Sequence, residues 1–363
     1  MHLTSSRSFF AALIFLSLPF GIAQDSGQQP PATAPPASSP APATPSQSTP
    51  PPSQSPPPPS TPPPSTSPQS SPQQPDTGEG GVFVFRKDVD EVLLHAIVID
   101  DKQRMVTTLD RNSFNVLEDG KPQKITSFRH EDVPVALGIV IDNSGSMREK
   151  RQKVNQAALN LVKASNPQDE VFVVNFSDEY YLDQNFTNDI KKLKEALEKI
   201  DARGGTALYD AVVASSEELK KNARLDRRVL LVVTDGEDNA SRESLEQAIK
   251  RLQEENGPTV YSIGLLGEEK QRRARRALQT MSERTGGIAF LPKTLDEVDE
   301  ISKTVAHDIR NVYTIGYKPT NPRTAGGYRT IRVDAKGKGL GKLVVRTKSG
   351  YYAGTDRAKA DSQ

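Results

Sequence analysis

Two short apolar runs rich in β-branched residues constrain the fold of this chain most strongly. They span residues 136–141 and 229–233, and each is followed at once by polar residues. Apolar runs of this length are typical of buried parallel strands, and α/β sheets bind their ligands at the carboxyl ends of such strands. The pattern therefore predicts a mostly parallel sheet with a polar site at one edge.

Three polar clusters supply oxygen atoms for such a site. They are Asp142-Asn143-Ser144-Gly145-Ser146, Gly204-Gly205-Thr206 and Thr234-Asp235-Gly236-Glu237-Asp238-Asn239. Each cluster alone is ordinary turn or helix-cap chemistry, but their placement after predicted strands favours one shared metal site. The candidate ligands are two carboxylates and three hydroxyls: Asp142, Ser144, Ser146, Thr206 and Asp235. Hard oxygen donors without His or Cys suit Mg²⁺, Mn²⁺ or Ca²⁺ rather than zinc or copper.

These five residues resemble the metal-ion-dependent adhesion site of von Willebrand factor A domains, with every ligand position filled. The likeness covers roughly residues 133–312, and residues 204–210 resemble the bacterial branch of the family. The flanking sequences are similar to the acidobacterial group of A-domain-related proteins. The segments that carry this second likeness are 113–123, 316–317, 328–333 and 350–352.

The resemblance implies a doubly wound, mostly parallel α/β sheet and a role for each ligand. Ser144 and Ser146 would bind the ion directly, Asp142 and Asp235 directly or through water, and Thr206 would join when a partner is engaged. An Asp or Glu of a protein partner would complete the coordination, with Mg²⁺ as the expected ion and Mn²⁺ or Ca²⁺ as alternatives. Candidate residues at the rim of the site are Asn143, Ser177, Asp178, Asp238, Asn239 and Ser241.

Secondary-structure patterns divide the chain into a central segment and two β-rich flanks. Central strands are expected at 136–141, 171–176, 229–234, 260–265 and 288–291, with an antiparallel edge strand at 180–186. Flanking strands are expected at 82–85, 92–99, 114–117, 125–128, 313–317, 328–335 and 343–348. Because neither flank has enough strands for its own sheet, we expect both to pair into one small β-sandwich with the A domain inserted between its halves.

The amino terminus predicts export. Arg7 precedes an apolar stretch at 9–20, and Gly21-Ile22-Ala23 forms a small-x-small cleavage site, as in a secretory signal peptide. An uncleaved signal anchor is the alternative, and no other segment is apolar enough to cross a membrane. The chain has no cysteine, which excludes disulfides and thiolate sites. The expected location is the periplasm or the exterior of the cell.

Residues 24–81 are rich in Pro, Ser, Thr and Gln, a composition that predicts a disordered spacer with polyproline II character. Recognition by a proline-binding domain and O-glycosylation are alternative roles. The predicted organisation is a signal peptide at 1–23, a linker at 24–81, one half of the sandwich at 82–131, the A domain at 132–312, the other half of the sandwich at 313–355 and a tail at 356–363.

The expected function is metal-dependent protein binding or adhesion, without catalysis. His95, His130 and His307 all fall outside the predicted site loops, and motifs of common hydrolases are absent from the sequence. Two alternatives stay open: a structural or assembly subunit with a stabilising ion, and a metal-dependent hydrolase. A net charge of +1 with interspersed acids and bases argues against nucleic acid as a partner. The basic run within 268–276 is expected to be a solvated helix face, with an acidic partner as the alternative.

Overall fold

The computed structural model describes residues 91–198, 202–266 and 271–354. The predicted signal peptide, linker, strand at 82–85 and carboxyl-terminal tail lie outside the described residues, as does the beginning of the basic run at 268–270.

Fourteen strands and six α-helices are assigned among the described residues. The strands are β1 Val92–Ile99, β2 Phe114–Glu118, β3 Lys121–Gln123, β4 Ile125–His130, β5 Ala136–Asp142, β6 Glu170–Phe176, β7 Tyr180–Thr187, β8 Arg228–Thr234, β9 Thr259–Gly264, β10 Ala289–Phe290, β11 Tyr313–Tyr317, β12 Tyr328–Ala335, β13 Val344–Arg346 and β14 Gly350–Tyr352. The helices are α1 Arg151–Ala164, α2 Ile190–Glu198, α3 Leu208–Asn222, α4 Leu245–Leu252, α5 Arg272–Thr285 and α6 Glu297–Arg310.

The central sheet has the strand order β10-β9-β8-β5-β6-β7. Its strands pair in parallel except for β7, which is antiparallel to β6, so the predicted mostly parallel sheet is confirmed. The chain runs from β5 outward to β6 on one side and later to β8 on the other. Because β5 and β8 are neighbours, the loops that leave their carboxyl ends diverge at the switch point where such sheets bind ligands.

Alternating residues of the central strands build two cores, one on each face of the sheet. Leu137, Ile139 and Ile141 pack in the core that contains α1 and α6, whereas Ala136 and Val140 face the core that contains α3 and α5. This alternation follows from the two-residue repeat of a strand, and it explains why the apolar runs carry no polar position.

Gly138, in the middle of β5, shows how closely the side chains pack on the face of the sheet that α3 covers. A Cβ atom at this position would lie 2.4 Å from the ring of Phe172 and 2.6 Å from Leu230. Both neighbours belong to adjacent strands, so a larger residue at 138 would push the strands or their side chains apart. Glycine therefore allows the three central strands to hold their register behind the candidate site.

Two four-stranded sheets are formed by strands of both flanks. Their orders are β13-β1-β11-β4 and β14-β12-β2-β3, so each sheet combines strands from before and after the central segment. Side chains from both sheets share one core, which includes Leu94, Val116, Tyr313, Val333 and Tyr351. The chain leaves this region after β4 and returns at β11, and these strands are paired, with Tyr313 opposite His130. The central segment therefore begins and ends at adjacent strands.

The described helices are all too short or too polar to span a bilayer: within 91–198, 202–266 and 271–354, none meets the length and hydropathy that a crossing requires.

Candidate metal site

Asp142 ends β5 and is completely buried. Its Oδ1 atom accepts a hydrogen bond from the Ser144 amide at 2.7 Å, and its Oδ2 atom accepts one from the Thr234 hydroxyl at 2.5 Å. The first bond turns the loop back on the strand end, and the second comes from the end of the neighbouring strand β8. The carboxylate is thus fixed by both strands that flank the switch point.

The second carboxylate, Asp235, directly follows β8 and meets the first loop. The Ser146 hydroxyl donates to Asp235 Oδ1 at 2.7 Å, and the Ser144 and Ser146 Oγ atoms lie 3.1 Å apart. On its other side, Asp235 Oδ2 forms an ion pair with the Lys150 ammonium group. Two serine oxygens, a carboxylate and a lysine therefore surround one point above the sheet.

Backbone hydrogen bonds bring the Thr206 loop to the same place. The Gly145 amide donates to the Gly204 carbonyl at 3.3 Å, and the Asn239 amide donates to the Thr206 carbonyl at 3.0 Å. The Thr206 Oγ1 atom lies 3.4 Å from the position that a Cβ atom would take at Gly236. The three clusters that the sequence analysis singled out are consequently adjacent in space, although 89 positions separate Ser146 from Asp235.

Gly204 is suited to its place for two reasons. Its φ angle is +79°, a conformation that residues with a Cβ atom rarely adopt. A Cβ atom there would also lie 2.1 Å from the Asp178 carboxylate. The loop therefore depends on glycine to carry Thr206 inward.

The side chains predicted for the rim hold the loops in position. Asp178 accepts from the Gly205 amide at 2.7 Å, and Asn239 Oδ1 accepts from the Thr206 amide at 2.9 Å. Asp238 accepts from the Tyr209 amide at 2.9 Å and from the Ser241 hydroxyl at 2.6 Å.

The other predicted rim residues also form hydrogen bonds that involve backbone groups. The Ser177 carbonyl accepts from the Ala207 amide at 2.6 Å, and the Asn143 amide donates to the Phe176 carbonyl at 2.6 Å. Ser241 Oγ accepts from the Asp210 amide at 3.1 Å. The predicted rim thus fixes the Thr206 loop and the first turn of α3 against the site.

Two residues that contact the candidate ligands were missed by reasoning from sequence. Thr234 lies inside the third cluster, but nothing in the sequence shows that its hydroxyl reaches Asp142. Lys150 is the N-cap residue of α1 and has no capping hydrogen bond from its side chain. A positive charge at a helix amino terminus opposes the helix dipole, so the contact with Asp235, and not the helix, accounts for the position of the ammonium group.

Burial and charge act together on the Asp142 carboxyl group. Desolvation raises its pKa, the negative charge of Asp235 raises it further, and hydrogen bonds from Thr234 and Ser144 oppose the rise. Behind the site, Arg151 is buried and donates to Asn175 Oδ1 at 2.9 Å. Burial lowers the pKa of Arg151 to about 10, and the charge of Asp142 partly counters this. Burial therefore disfavours the charged form of both Asp142 and Arg151.

The donor set fits a small divalent cation. An ion bound octahedrally at about 2.1 Å from oxygen places neighbouring oxygens roughly 3 Å apart. The separations of 3.1 Å between the two serine oxygens and 2.7 Å between Ser146 and Asp235 agree with this spacing. No group of three or more His, Cys, Asp or Glu residues that could hold a metal occurs in the described part of the chain. An ion at this site would thus depend on the hydroxyl groups.

The family comparison identifies the segment that carries the site. The model of the von Willebrand factor type A domain matches residues 137–237, which run from β5 to just beyond β8 and include all five candidate ligands. This segment is therefore similar to a von Willebrand factor type A domain. None of the curated proteins compared with this chain matches it.

Several solved structures are similar to this chain at low identity. The von Willebrand factor type A protein from Catenulispora acidiphila is 14% identical, with a TM-score of 0.43 and coverage of 74% of both chains. The vWF domain of the type V pili tip protein Mfa5 from Porphyromonas gingivalis is 13% identical, with a TM-score of 0.40 and coverage of 50% of this chain and 97% of that chain.

A third similar structure is the PilB minor pilin from Streptococcus sanguinis. It is 15% identical, with a TM-score of 0.42, and the match covers 52% of this chain. The chain spans 63% of the length of that pilin.

Proposed function

We propose that this protein is an exported binding module that holds a divalent cation at Asp142, Ser144, Ser146, Thr206 and Asp235 and uses it to engage an acidic residue of a protein partner. The observation that carries the proposal is the contact of the Ser146 hydroxyl with Asp235 at 2.7 Å beside the Ser144 hydroxyl. It brings oxygens from two separate loops to the spacing that an octahedral ion needs. In this proposal the metal-ion-dependent adhesion site is intact.

The charge of the site supports recognition of an acidic partner. Asp142 and Asp235 carry two negative charges, and Lys150 supplies one positive charge. A bound divalent ion would leave the group with a net positive charge, which attracts a carboxylate from the partner. We expect Mg²⁺, since hydroxyl and carboxylate oxygens are its preferred ligands, with Mn²⁺ and Ca²⁺ as alternatives.

An exposed apolar surface next to the site supports a protein partner. Tyr180, Tyr181 and Leu182 at the start of β7 are 49%, 54% and 44% exposed. Tyr180 pairs with Phe176, and the Phe176 carbonyl accepts a hydrogen bond from Asn143 in the first site loop. Exposed tyrosines are frequent hot spots of protein interfaces. A partner bound at the ion would therefore find aromatic contact area beside it.

We propose binding rather than catalysis because the histidines of the described residues lie on other elements. His95 is in β1, His130 ends β4, and His307 is in α6, so none lies in the three site loops. Of the carboxylates in the described site loops, Asp142, Asp235 and Asp238 are already engaged in hydrogen bonds, which leaves Glu237 as the candidate base there. A hydrolase would need a free base or a second ion beside the first.

The proposal extends to the organisation of the whole chain. We infer that residues 82–131 and 313–355 form one β-sandwich with the domain at 132–312 inserted into it. The pairing of β4 with β11 supports this, because the two ends of the central segment meet there. We infer further that residues 1–23 direct export and that 24–81 form a spacer.

The first experiment measures the metal directly. The purified protein is stripped with EDTA, and Mg²⁺, Mn²⁺ and Ca²⁺ are titrated separately by calorimetry. We expect one site, lost in Asp142→Ala and retained in Glu149→Ala, which removes an exposed carboxylate next to Lys150. Equal binding by both variants would contradict the proposed ligands.

The second experiment tests recognition. The wild type, Asp142→Ala, Thr206→Ala and Glu149→Ala are used to capture proteins from an envelope extract, with EDTA and with added Mg²⁺, and circular dichroism confirms each fold. Loss of a charged contact of about 1.5–3 kcal/mol weakens capture roughly tenfold or more, which we expect for Asp142→Ala and Thr206→Ala. If EDTA lowers stability but leaves capture unchanged, the ion is structural and the proposed recognition mechanism is wrong.

A further inference from the structure

A cavity of about 210 Å³ lies between the flanking sheets and the central domain, far from the candidate metal site. We name it the junction cavity. Its walls include Leu93 and His95 of β1, Arg228 at the start of β8, Arg284 near the end of α5, and Lys348. The candidate ligands lie at the opposite end of β8, about 20 Å away for a strand of this length. The junction cavity is therefore a separate feature.

Positive charge predominates in the lining of the junction cavity. Three permanent or readily charged cations, Arg228, Arg284 and Lys348, face it together with one acid, Asp226. Neither Arg284 nor Lys348 forms a salt bridge with any described residue; the Lys348 ammonium instead lies 5.3 Å from the centre of the Tyr351 ring. Cations gathered without an equal number of acids repel one another, and this repulsion falls when an anion is bound.

Two titratable groups in the cavity lining, Lys348 and His95, have lowered pKa values. Burial lowers the pKa of Lys348 to about 8, the charge of Arg323 lowers it further, and Glu255 opposes the change. Glu255 is itself paired with Arg323. Burial, Arg227 and Lys348 lower the pKa of His95 to about 3, so its ring is neutral at physiological pH. Both shifts are therefore due chiefly to burial, and neighbouring cations add to them.

Hydrogen bonds to the backbone join the two sides of the cationic wall. The Ser349 amide donates to the Arg284 carbonyl at 3.0 Å, and Gln253 Nε2 donates to the same carbonyl at 3.1 Å. Gly286 permits this close approach: a Cβ atom at that position would lie 2.7 Å from the Lys348 backbone nitrogen. These contacts hold the backbone of Arg284 in the central domain next to that of Lys348 in the carboxyl-terminal flank, so two cationic residues from different regions meet at one wall of the cavity.

We infer that the junction cavity is a binding site for a small oxyanion, such as the phosphate or carboxylate group of a compact ligand, held by Arg228, Arg284 and Lys348. Guanidinium groups bind such oxyanions with paired hydrogen bonds, and an ammonium group adds a further charged donor. Leu93 and Leu252 give the cavity an apolar side that would accept the remainder of an organic ligand. Since Arg284 and Lys348 come from different regions of the fold, the anion would also fasten the central domain to its flanks.

The test is a titration of the full-length protein with inorganic phosphate and, separately, with acetate. Sodium chloride at the same ionic strength is the reference, and EDTA is present throughout so that the metal site does not contribute. We expect a saturable rise of the unfolding temperature. A rise with phosphate alone identifies a phosphate site, a rise with acetate alone identifies a carboxylate site, and a rise with both identifies a general oxyanion site.

Two variants and two controls decide where the anion binds. Lys348→Met and Arg284→Gln should each raise the concentration for half-maximal effect at least tenfold. Arg276→Gln on the same helix and Lys342→Met in the same flank remove exposed cations outside the cavity and should leave it unchanged. Arg284 is exposed, so its variant remains informative even if Lys348→Met fails to fold. The inference is wrong if neither anion gives a saturable rise over chloride, or if all four variants respond like the wild type.

Discussion

Two regions of this protein bury carboxylates, and the partners that surround these carboxylates differ between the two regions. In the flanking sheets, Glu118 is 2% exposed and accepts hydrogen bonds from Arg329 at 3.1 Å, Tyr317 at 2.5 Å and Tyr351 at 3.0 Å. Both of its oxygens are occupied by donors from the same core. The Glu118 carboxylate is thus satisfied without any ligand, and we call these four residues the closed cluster.

The candidate metal site is open by comparison. Among the described residues, the one salt bridge to these two carboxylates joins Lys150 to Asp235, and the Ser146 side of the site reaches the solvent. Its other contacts are neutral hydroxyl and amide donors. A buried ion pair needs every lone pair satisfied, whereas a binding site needs donors that can exchange one partner for another. Charges that hold the fold together therefore have fixed charged partners, whereas charges that can serve a ligand keep partners that can be exchanged.

The largest expected effect comes from breaking the closed cluster. Arg329→Met leaves Glu118 buried without its counter-ion, which should lower the free energy of unfolding by about 3–5 kcal/mol in urea denaturation. The double variant Glu118→Gln with Arg329→Met should recover some of the loss, because no unpaired charge remains. Arg332→Met is the matched control: Arg332 pairs with Asp334 at the surface and should cost at most about 1 kcal/mol. Equal losses for Arg329 and Arg332 would show that the cluster is not closed.

The next effect concerns the open site and its ion. With Mg²⁺ at a hundred times its dissociation constant, the wild type should gain about 2.7 kcal/mol of stability over the same protein in EDTA. Asp142→Asn should lose this gain and yet unfold in EDTA at nearly the same urea concentration as the wild type, since burial and Asp235 disfavour the charge of Asp142. A variant that is strongly destabilised in EDTA would place Asp142 among the closed, structural charges instead.

A smaller effect should come from Lys150, whose ammonium group pairs with the Asp235 carboxylate where the proposed metal ion would bind. Lys150→Met removes a positive charge next to the proposed ion and frees Asp235 Oδ2, so Mg²⁺ affinity should rise about tenfold, or roughly 1.4 kcal/mol, in calorimetric titration. Lys153→Met, on the same helix but paired with exposed Asp296, should leave the affinity unchanged. A fall in affinity would mean that Lys150 positions Asp235 for the ion rather than competing with it.

The smallest effect tests His95, a partly buried group whose charged neighbours are the cations Arg227 and Lys348. Folding lowers the pKa of His95 from 6.5 to about 3. Between these two pH values the unfolded chain therefore binds more protons than the folded protein. The contribution of His95 to the free energy of unfolding is therefore present above pH 6.5 and is lost as the pH falls. The loss is about 1 kcal/mol between pH 6.5 and pH 5.5. His95→Gln should reduce the acid sensitivity of unfolding over this range. If it unfolds with the wild-type pH dependence, His95 is charged in the fold and the flanks contain a counter-ion for it.

Local sequence patterns were sufficient to predict the strands of the central sheet. The runs at 136–141 and 229–234 form β5 and β8, and the edge strand predicted at 180–186 is antiparallel β7. The strand predicted at 343–348 is shorter, at Val344–Arg346, and β3 and β14 are additional short strands. Long apolar runs are well predicted because burial on both faces of a sheet leaves few residue types acceptable, whereas short edge strands depend on the partner strand that pairs with them.

The sequence by itself determined the class of the fold and the loops that carry the candidate ligands, since both follow from the order of apolar runs and polar clusters. Only the tertiary structure decided how these elements meet. It placed Lys150 on Asp235 and Thr234 on Asp142, paired Glu118 with Arg329 across 211 positions, and enclosed the junction cavity between the central domain and its flanks. The physical reason is that such contacts join residues far apart in the chain, and their choice of partner is fixed by strand order and register rather than by neighbouring residues.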